Sequence, residues 1–346
     1  MQDIRDHTRP ELRHIIISLG EKPAHATRLF NCLYRDNAAS WAQVTGLPQN
    51  LRARLAREYS IAPYAWPAHT LVSRLDGTVK LLFRFEDGAT AESVVLYGGG
   101  RRTACLSSQS GCACGCSFCA TGALGLKRNL APREILAQFE ACLSAAPGRL
   151  DSIVFMGMGE PFLNWPNVKT AILNLSDSAG RYFPQSRISV STVGIVPGIT
   201  ALAESDLKIN LAISVITADE TQRAELVPMQ AEYPLSEVIA SAKDYCARRN
   251  KKVFLEYILF AGINDTPACA LELAALAKTL PCTVNLIRYN SSAGRQFCPA
   301  TPESTKRFHE ILRGNGIRVY ERAEQGADIN AACGQLAAGK NASPKP

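Results

Sequence analysis

The sequence predicts an α/β fold in which a parallel sheet curls into a full or partial barrel, with a small N-terminal helical domain and a β-hairpin extension. Three observations indicate this: helical periodicity over the first sixty residues, two Asp-Gly turns between β-rich runs, and alternating strand-like and helix-like runs over the remainder. The chain has 346 residues, of which 47% are hydrophobic and 20% charged. This is enough apolar material for one large domain and a small one.

Residues 1–60 are predicted to form the helical domain, an accessory domain that contacts RNA. Helical runs cover residues 11–19, 24–34 and 51–58, and breaks that contain glycine and proline separate them. Arginines give this region a basic character, and two interpretations of them stay open, a solvated surface and an RNA-contacting face: Arg28, Arg35, Arg52, Arg54 and Arg57.

Residues 61–97 are predicted to form a linker followed by consecutive hairpins. Residues 62–67 are rich in proline and aromatic residues, which indicates the linker. The pairs Asp76-Gly77 and Asp87-Gly88 then separate alternating β-rich runs, and an Asp-Gly pair in this position is a strong hairpin signal.

Residues 98–334 are predicted to form the core, a parallel sheet of about six βα units. One strand leads into Cys105, and further strands are expected at 152–156, 187–191, 209–214, 253–260, 283–288 and 317–321. Helical runs lie between most of them, at 132–143, 168–175, 235–248, 268–280 and 302–312. In such sheets the functional groups gather at the carboxyl ends of the strands. Residues 335–346, rich in Ala, Gly, Lys and Pro, are expected to form a flexible tail.

The composition restricts the class of protein. A net charge of +7 and a pI near 8.8 favour a polyanionic partner such as RNA without establishing one. The chain opens without an apolar signal segment, and no run reaches the roughly 18 apolar residues that span a bilayer, so we expect a cytoplasmic protein with no membrane partner. Twelve cysteines, five of them between Cys105 and Cys119, suit a metal site in a reducing compartment better than a secreted disulfide framework.

Cys112, Cys116 and Cys119 have the spacing C-x3-C-x2-C in a loop that contains glycine. Three thiolates on an iron–sulfur cluster leave one iron open to bind and activate a small molecule, whereas four thiolates are typical of an electron carrier. A zinc site would use four ligands, usually as two C-x2-C pairs, and no second pair or nearby histidine accompanies this one. An electron carrier would need Cys114 as its fourth ligand, although Cys114 lies between two of the others.

Several longer motifs accompany this spacing. They are residues 19–23 (LGEKP), 105–112 (CLSSQSGC), 117–122 (SFCATG), 128–130 (RNL), 156–161 (MGMGEP) and 328–336 (DINAACGQL). Over nearly its whole length the chain resembles the RlmN/Cfr family of radical S-adenosylmethionine (SAM) RNA adenosine methyltransferases. The resemblance implies a partial (βα)6 radical-SAM barrel, one [4Fe-4S] cluster held by Cys112, Cys116 and Cys119, and two molecules of S-adenosylmethionine per turnover.

The resemblance also implies a route to a carbon that ordinary methyl transfer cannot reach. An adenine ring carbon is electrophilic and has no nucleophilic lone pair, so the family uses a 5'-deoxyadenosyl radical. Cys333 would carry a methyl group that becomes bonded to the base, Cys105 would help to resolve the adduct while a transient disulfide forms with Cys333, and Glu92 would accept a proton. Glu92 has a second interpretation, a polar residue on the outer face of a strand.

For S-adenosylmethionine the resemblance implies contacts from Gly159, Glu160, Ser191, Ser214 and Asn290. The two serines and the asparagine each stand at the end of a predicted strand, where a barrel enzyme places its site.

Three features depart from the family pattern. Ile216 stands where the family has the histidine of Ser-Leu-His, Arg288-Tyr289 replaces the Pro-Trp before the asparagine, and Cys114 adds a thiol to the loop. These changes indicate a divergent branch, in which an aliphatic side chain replaces a ring that could hydrogen-bond.

The implied function is methylation of a ring carbon of adenosine, C2 rather than C8, in 23S ribosomal RNA, with tRNA as a further candidate substrate. A one-electron reductase such as flavodoxin is the implied partner, and the enzyme is expected to be a monomer. Two alternatives stay open: an RNA-binding factor with a structural or redox-sensing cluster, and a radical SAM methyltransferase that acts on a different RNA base.

Overall fold

A computed structural model describes residues 1–291 and 296–336 of the chain. The helices are α1 Arg9–Ser18, α2 Ala24–Tyr34, α3 Gln49–Glu58, α4 Pro132–Ala145, α5 Trp165–Ser176, α6 Val196–Glu204, α7 Glu220–Leu226, α8 Leu235–Arg249, α9 Pro267–Ala277 and α10 Pro302–Gly314. The strands are β1 Gln2–Asp3, β2 Tyr59–Ser60, β3 His69–Val72, β4 Val79–Arg84, β5 Thr90–Gly98, β6 Arg101–Cys105, β7 Gln109–Gly111, β8 Leu126–Asn129, β9 Ser152–Phe155, β10 Ile188–Thr192, β11 Asn210–Ser214, β12 Val253–Leu259, β13 Cys282–Arg288 and β14 Val319–Arg322. None of the described helices has both the length and the apolar character needed to cross a bilayer.

The core is a ten-stranded sheet in the order β14-β13-β12-β11-β10-β9-β6-β5-β4-β3. Strands β6 and β9 to β14 run parallel with helices between them, and β3, β4 and β5 continue the same sheet as antiparallel hairpins. Because β14 and β3 form its two ends, the sheet in the described part of the chain is an open, partial barrel. This confirms the predicted fold class and places the hairpin extension in the main sheet.

The central strands are apolar because helices cover one face of the parallel sheet. Leu211 and Ile213 in β11, and Leu255 and Tyr257 in β12, are all fully buried. The Tyr257 hydroxyl donates a hydrogen bond to the backbone carbonyl of Asn264 at 2.9 Å, so its polar tip is satisfied inside the core. This packing holds the strands whose carboxyl ends carry the predicted site residues.

The predicted N-terminal helices are confirmed as α1, α2 and α3. Thr8 caps α1 in a capping box with Glu11, and Asp6 Oδ2 lies 2.7 Å from Nη1 of Arg133 in α4, which joins this region to the core. Four of the five arginines named above donate hydrogen bonds to backbone carbonyls of the protein, so they brace the fold: Arg28, Arg35, Arg52 and Arg54.

Residues 323–336 follow β14 and form a strap that reaches the hairpin extension. Gly326 N donates to Asp76 Oδ2 at 2.8 Å, and Arg74 N donates to Asp328 Oδ2 at 2.9 Å. Both acceptors are carboxylates, which make stronger hydrogen bonds than neutral acceptors. The strap is therefore anchored to the turn between β3 and β4.

The other end of the strap is bound to residues 120 and 121, which follow the segment that contains Cys112, Cys116 and Cys119. Ala120 N donates to Gly334 O at 2.8 Å, and Thr121 Oγ1 donates to Leu336 O at 2.7 Å. Gln335 and Leu336 are buried, so the packed chain continues past residue 335, where the flexible tail is predicted to begin. The rest of that predicted tail, residues 337–346, lies outside the described residues.

Substitution of two glycines distinguishes the effect of close packing in the strap from the effect of left-handed backbone alone. Gly326 (φ +66°) and Gly88 (φ +77°) both have left-handed backbone, but a Cβ on Gly326 would lie 2.7 Å from Ala331 Cβ and 2.9 Å from Thr78 Cγ2, whereas nothing lies within 4 Å of one on Gly88. We expect Gly326→Ala to lower the free energy of unfolding by about 2–4 kcal/mol and Gly88→Ala by about 1 kcal/mol. Anaerobic thermal unfolding measures both changes, and equal losses would contradict this account of the strap.

Candidate functional site

A cavity of about 710 Å³ lies at the carboxyl ends of the parallel strands, between the cysteine loop and the strap. This size is typical of a site for a small molecule or cofactor. Glu92 does not line the cavity, but the other ten predicted site residues do: Cys105, Cys112, Cys116, Cys119, Gly159, Glu160, Ser191, Ser214, Asn290 and Cys333.

The cysteine loop, residues 112–119, directly follows a glycine that no other residue can replace. Gly111 has φ +77°, and a Cβ there would lie only 1.8 Å from the carbonyl oxygen of Gly125. Cys112 N donates a hydrogen bond to the same carbonyl at 3.1 Å. The tight approach turns the loop so that its thiols face the cavity.

The three predicted ligands fit an iron–sulfur cluster. Burial raises the pKa of Cys116, and the neighbouring Cys119 and Cys112 raise it further. Thiolates that oppose one another's ionisation need positive charge beside them, and the irons of a cluster supply it. Within residues 1–291 and 296–336 no three His, Cys, Asp or Glu side chains surround one ion-sized position, and a cluster does not require one, since each thiolate binds a different iron.

Cys114, the additional thiol of the loop, interacts with Cys112, one of the predicted ligands. Its backbone N lies 3.5 Å from Cys112 Sγ, and a side-chain hydrogen bond between the two cysteines lowers the pKa of Cys112. The same hydrogen bond and burial raise the pKa of Cys114. Since hydrogen bonds to ligand sulfurs tune a cluster, Cys114 is placed to support Cys112.

Gly159 and Glu160 form the wall that follows β9. Gly159 has φ +95°, and a Cβ there would lie 2.5 Å from Gln109 Cβ. Glu160 is only 4% exposed, and its carboxylate oxygens accept hydrogen bonds from Phe162 N at 3.0 Å and Val193 N at 2.9 Å. Burial raises the pKa of Glu160 to about 7. The carboxylate therefore ties the end of β9 to the end of β10 at the cavity wall.

Ser191, Ser214 and Asn290 contribute from the ends of three parallel strands. Ser191 is the next-to-last residue of β10, Ser214 ends β11, and Asn290 follows β13. Asn290 Nδ2 also donates a hydrogen bond to the backbone carbonyl of Cys333 at 3.2 Å. One predicted cofactor contact is thus also a contact of the strap.

Ile216 lines the cavity with strained backbone. Its φ is +69°, which is unfavourable for a β-branched residue. Asn264 Nδ2 donates a hydrogen bond to the Ile216 carbonyl at 2.7 Å and holds this conformation. Ile216, which stands where the family has a histidine, therefore gives the cavity an apolar wall in this chain, and Ile216 is only 1% exposed.

Cys105 and Cys333 are far apart in sequence, and the structure brings them to one cavity. Cys105 ends β6, and Cys333 lies in the strap. Burial raises the pKa of Cys105 to about 12, the neighbouring Cys333 raises it as well, and Arg322 opposes both effects. Cys333 is therefore close enough to Cys105 to influence the ionisation of the Cys105 thiol.

Arg322 and Glu256 also line the cavity, and sequence patterns did not reveal them. Arg322 Nη1 lies 3.5 Å from Glu256 Oε2 and 3.4 Å from Met156 Sδ. Asn285 Nδ2 donates a hydrogen bond to Glu256 Oε1 at 2.8 Å. One feature of the sequence could have pointed to this pair. Glu256 is a glutamate inside the otherwise apolar β12 run, and a charged residue in a buried strand needs a partner.

Glu92 lies in β5 and is buried, with 2% of its surface exposed. The interpretation as a polar residue on an outer face is therefore wrong. Its Oε1 atom is 3.6 Å from Lys80 Nζ. Val94, two residues along the same strand, does line the cavity and pairs with Cys105. Glu92 thus faces the same side of the sheet as Val94.

Two family models match the chain. Residues 106–273 match the radical SAM superfamily, and residues 2–61 match the ribosomal RNA large subunit methyltransferase N-terminal domain. The fold and the cysteine loop thus define a radical SAM enzyme, a class that uses a [4Fe-4S] cluster and S-adenosylmethionine.

Comparison with individual proteins identifies the family within the radical SAM class. A dual-specificity RNA methyltransferase RlmN from Anaeromyxobacter dehalogenans is 37% identical over 344 residues, which cover 97% of this chain and 92% of the relative. A probable dual-specificity RNA methyltransferase RlmN from Pelodictyon phaeoclathratiforme is 39% identical, with 99% of each chain covered. The crystal structure of a radical SAM methyltransferase from Sphaerobacter thermophilus superposes with a TM-score of 0.89 at 39% identity and covers 98% of this chain and 100% of that one. The chain belongs to the RlmN family, which confirms the resemblance.

The ligand assignment predicts opposite results for two neighbouring cysteines. Protein purified without oxygen should contain about four irons per chain. Cys116→Ala should lose most of this iron because it removes a predicted ligand. Cys114→Ala should keep the iron, because Cys114 contacts the predicted ligand Cys112 and is not itself one of the three predicted ligands. Iron and sulfide assays measure both variants, and full iron content in Cys116→Ala would overturn the assignment.

Proposed function

We propose that this chain methylates a ring carbon of adenosine, C2 rather than C8, in 23S ribosomal RNA, with tRNA as a second substrate. The observation that carries the proposal is the meeting of Cys105 and Cys333 in the cavity that also holds the cysteine loop. Ordinary methyl transfer needs no pair of cysteines, but transfer through a methylated cysteine needs one to carry the methyl group and one to release the product. The names of the relatives, dual-specificity RNA methyltransferases, agree with this reaction.

Cys112, Cys116 and Cys119 would hold the cluster, and S-adenosylmethionine would occupy the adjoining part of the cavity. When bound, the two groups supply the one-electron cleavage that generates a carbon radical able to remove hydrogen from a methyl group. Gly159, Glu160, Ser191, Ser214 and Asn290 would contact S-adenosylmethionine, and all of them line the cavity. The Gly159 backbone allows close approach because it carries no Cβ.

Cys333 would carry the methyl group. The hydrogen bonds of Ala120 to Gly334 and of Asn290 to the Cys333 carbonyl hold its segment over the cavity. A fixed segment keeps the methylated sulfur at one place for both methyl loading and bond formation to the base, which lowers the entropic cost of the reaction.

Cys105 would release the product. The Cys105 thiol gives up its proton as its sulfur attacks the Cys333 sulfur, the S–S bond forms, and the C–S bond to the RNA breaks. The electron pair leaves with the methylene carbon, which takes a proton and becomes the methyl group of the base. The Cys105–Cys333 disulfide must then be reduced by an external thiol before another turnover.

Glu92 would take the proton that the ring carbon must lose. Addition of a methylene radical leaves that carbon with both a hydrogen and the new substituent, and it leaves one unpaired electron in the ring. Loss of the hydrogen as a proton, together with transfer of that electron to a one-electron acceptor such as the oxidised cluster, would restore the aromatic ring. Glu92 faces the same side of the sheet as Val94 and Cys105, and this shared face supports the proposed role.

The partners follow from the reaction. RNA is the substrate, and the net charge of +7 favours its approach. A one-electron reductase such as flavodoxin would supply the electron, and the enzyme would act in the cytoplasm as a monomer.

Variants of the two cysteines should fail at different steps. Cys333→Ala should form neither methylated protein nor methylated RNA, while its iron content remains normal. Cys105→Ala should gain one methylene on Cys333 and then accumulate protein joined covalently to RNA, because nothing attacks the Cys333 sulfur. Intact-protein mass spectrometry and denaturing gels separate these outcomes. Methylated RNA from Cys333→Ala at the wild-type rate would refute the proposed route.

The product identifies the substrate and the carbon. Mass spectrometry of nucleosides from ribosomal and transfer RNA of cells with and without the gene should show 2-methyladenosine that depends on the gene. Appearance of 8-methyladenosine instead would contradict the preference for C2. No change in either nucleoside would favour an RNA-binding factor or action on another base.

A further inference from the structure

Lys80 is a buried charged residue to which the proposed function assigns no role. It lies in β4, and only 3% of its surface is exposed. Lysine is almost never buried to this extent without a partner, because removing an ammonium group from water is costly. The groups that contact its ammonium therefore indicate what Lys80 does.

The register of the hairpin strands places Lys80 beside the proposed chemistry. Lys80 pairs with Val94 across β4 and β5, and Val94 pairs in turn with Cys105 of β6. Residues paired directly across antiparallel strands point to the same face of the sheet. Glu92, two residues before Val94, points to that face as well. Lys80, Glu92 and Cys105 thus share one face.

The Lys80 ammonium joins two parts of the proposed machinery. Its Nζ atom lies 3.6 Å from Glu92 Oε1 and donates a hydrogen bond to the backbone carbonyl of Asn330 at 3.3 Å. Asn330 belongs to the strap, three residues before Cys333, and has left-handed backbone with φ +51°. Burial lowers the pKa of Lys80, and the Glu92 carboxylate opposes that effect.

We propose that Lys80 is a positioning residue for the proton-removal step, which fixes the Glu92 side chain relative to the strap that carries Cys333. This inference rests on the proposed function, because it concerns the step assigned to Glu92. The carboxylate takes one proton from the ring carbon of the radical adduct, the C–H electron pair remains in the ring, and the unpaired electron would pass to a one-electron acceptor such as the oxidised cluster. Lys80 keeps its own proton throughout and acts through charge and hydrogen bonding.

Replacement of Lys80 by an uncharged residue would remove the ammonium contacts to Glu92 Oε1 and to the Asn330 carbonyl together. The carboxylate would then no longer be held at a fixed place relative to the strap, so it would accept the proton of the adduct less efficiently. Methyl loading of Cys333 does not use Glu92. Loss of Lys80 should therefore leave early steps intact and stop the reaction at the covalent adduct.

The test compares Lys80→Met with Glu92→Gln, Lys80→Arg and Asp328→Ala in full-length protein with reconstituted cluster. Asp328→Ala removes a strap anchor, the bond from Arg74 N, and does not change the Glu92 pair. Three quantities are measured for each variant: methylation of Cys333 by mass spectrometry, protein joined to RNA on denaturing gels, and released methylated RNA.

Lys80→Met and Glu92→Gln should both keep methylated Cys333, release product about 100-fold more slowly and raise the ratio of adduct to released product. Lys80→Arg, which retains a cation, should keep that ratio near the wild-type value. Asp328→Ala should lower all three quantities together without raising the ratio.

Several results would overturn the inference. If Lys80→Met lowers all three quantities together, as Asp328→Ala should, then Lys80 only braces the strap. If Lys80→Met does not fold, the test depends on Lys80→Arg alone. A ratio of adduct to released product as high in Lys80→Arg as in Glu92→Gln would then refute the role of Lys80. Absence of methylated Cys333 and of methylated RNA in the wild-type protein would instead refute the proposed function itself, which keeps the two failures distinct.

Discussion

The attachment of the strap at both ends is the constraint on which the cavity depends. The sheet is open, so its own strands cannot enclose the carboxyl ends of the parallel run. Residues 323–336 do so instead, because Asp76 and Asp328 anchor them to the first hairpin turn while Ala120 and Thr121 anchor them beside the cysteine loop. Without both attachments, Cys333 would have no fixed place opposite Cys105.

This constraint explains why distant parts of the chain form one site. The cysteine loop provides a wall of thiols, the ends of β9 to β13 provide polar and backbone groups, and the strap closes the volume with a further thiol. The hairpin extension then has a clear purpose. It anchors the strap from outside and presents Glu92 and Lys80 on the face that carries Cys105. An enclosed site also excludes water from reactive intermediates.

Much of this organisation could be predicted from the sequence, and the rest depends on contacts between distant segments. The alternation of runs predicted β9 to β14, and the C-x3-C-x2-C spacing predicted a shared wall for Cys112, Cys116 and Cys119. The seven-residue helix α7 and the short hairpin β7–β8 were not predicted, because such elements are too brief to show periodicity. The pairs Lys80–Glu92 and Arg322–Glu256 were also missed, since strand register and the path of the strap, not local pattern, bring these charges together. Family resemblance pointed to Glu92 but not to its burial or its cation.

The central claim is that Cys105 and Cys333 act as a pair: Cys105 attacks the sulfur of Cys333 while the C–S bond between Cys333 and the RNA breaks. Peptide mapping without reductant, after a single turnover on RNA, tests this most directly. The account predicts one disulfide-linked peptide pair that joins Cys105 to Cys333, in an amount that matches the methylated RNA released. Released product without this disulfide, or with Cys333 joined to a different cysteine such as Cys114, would contradict it.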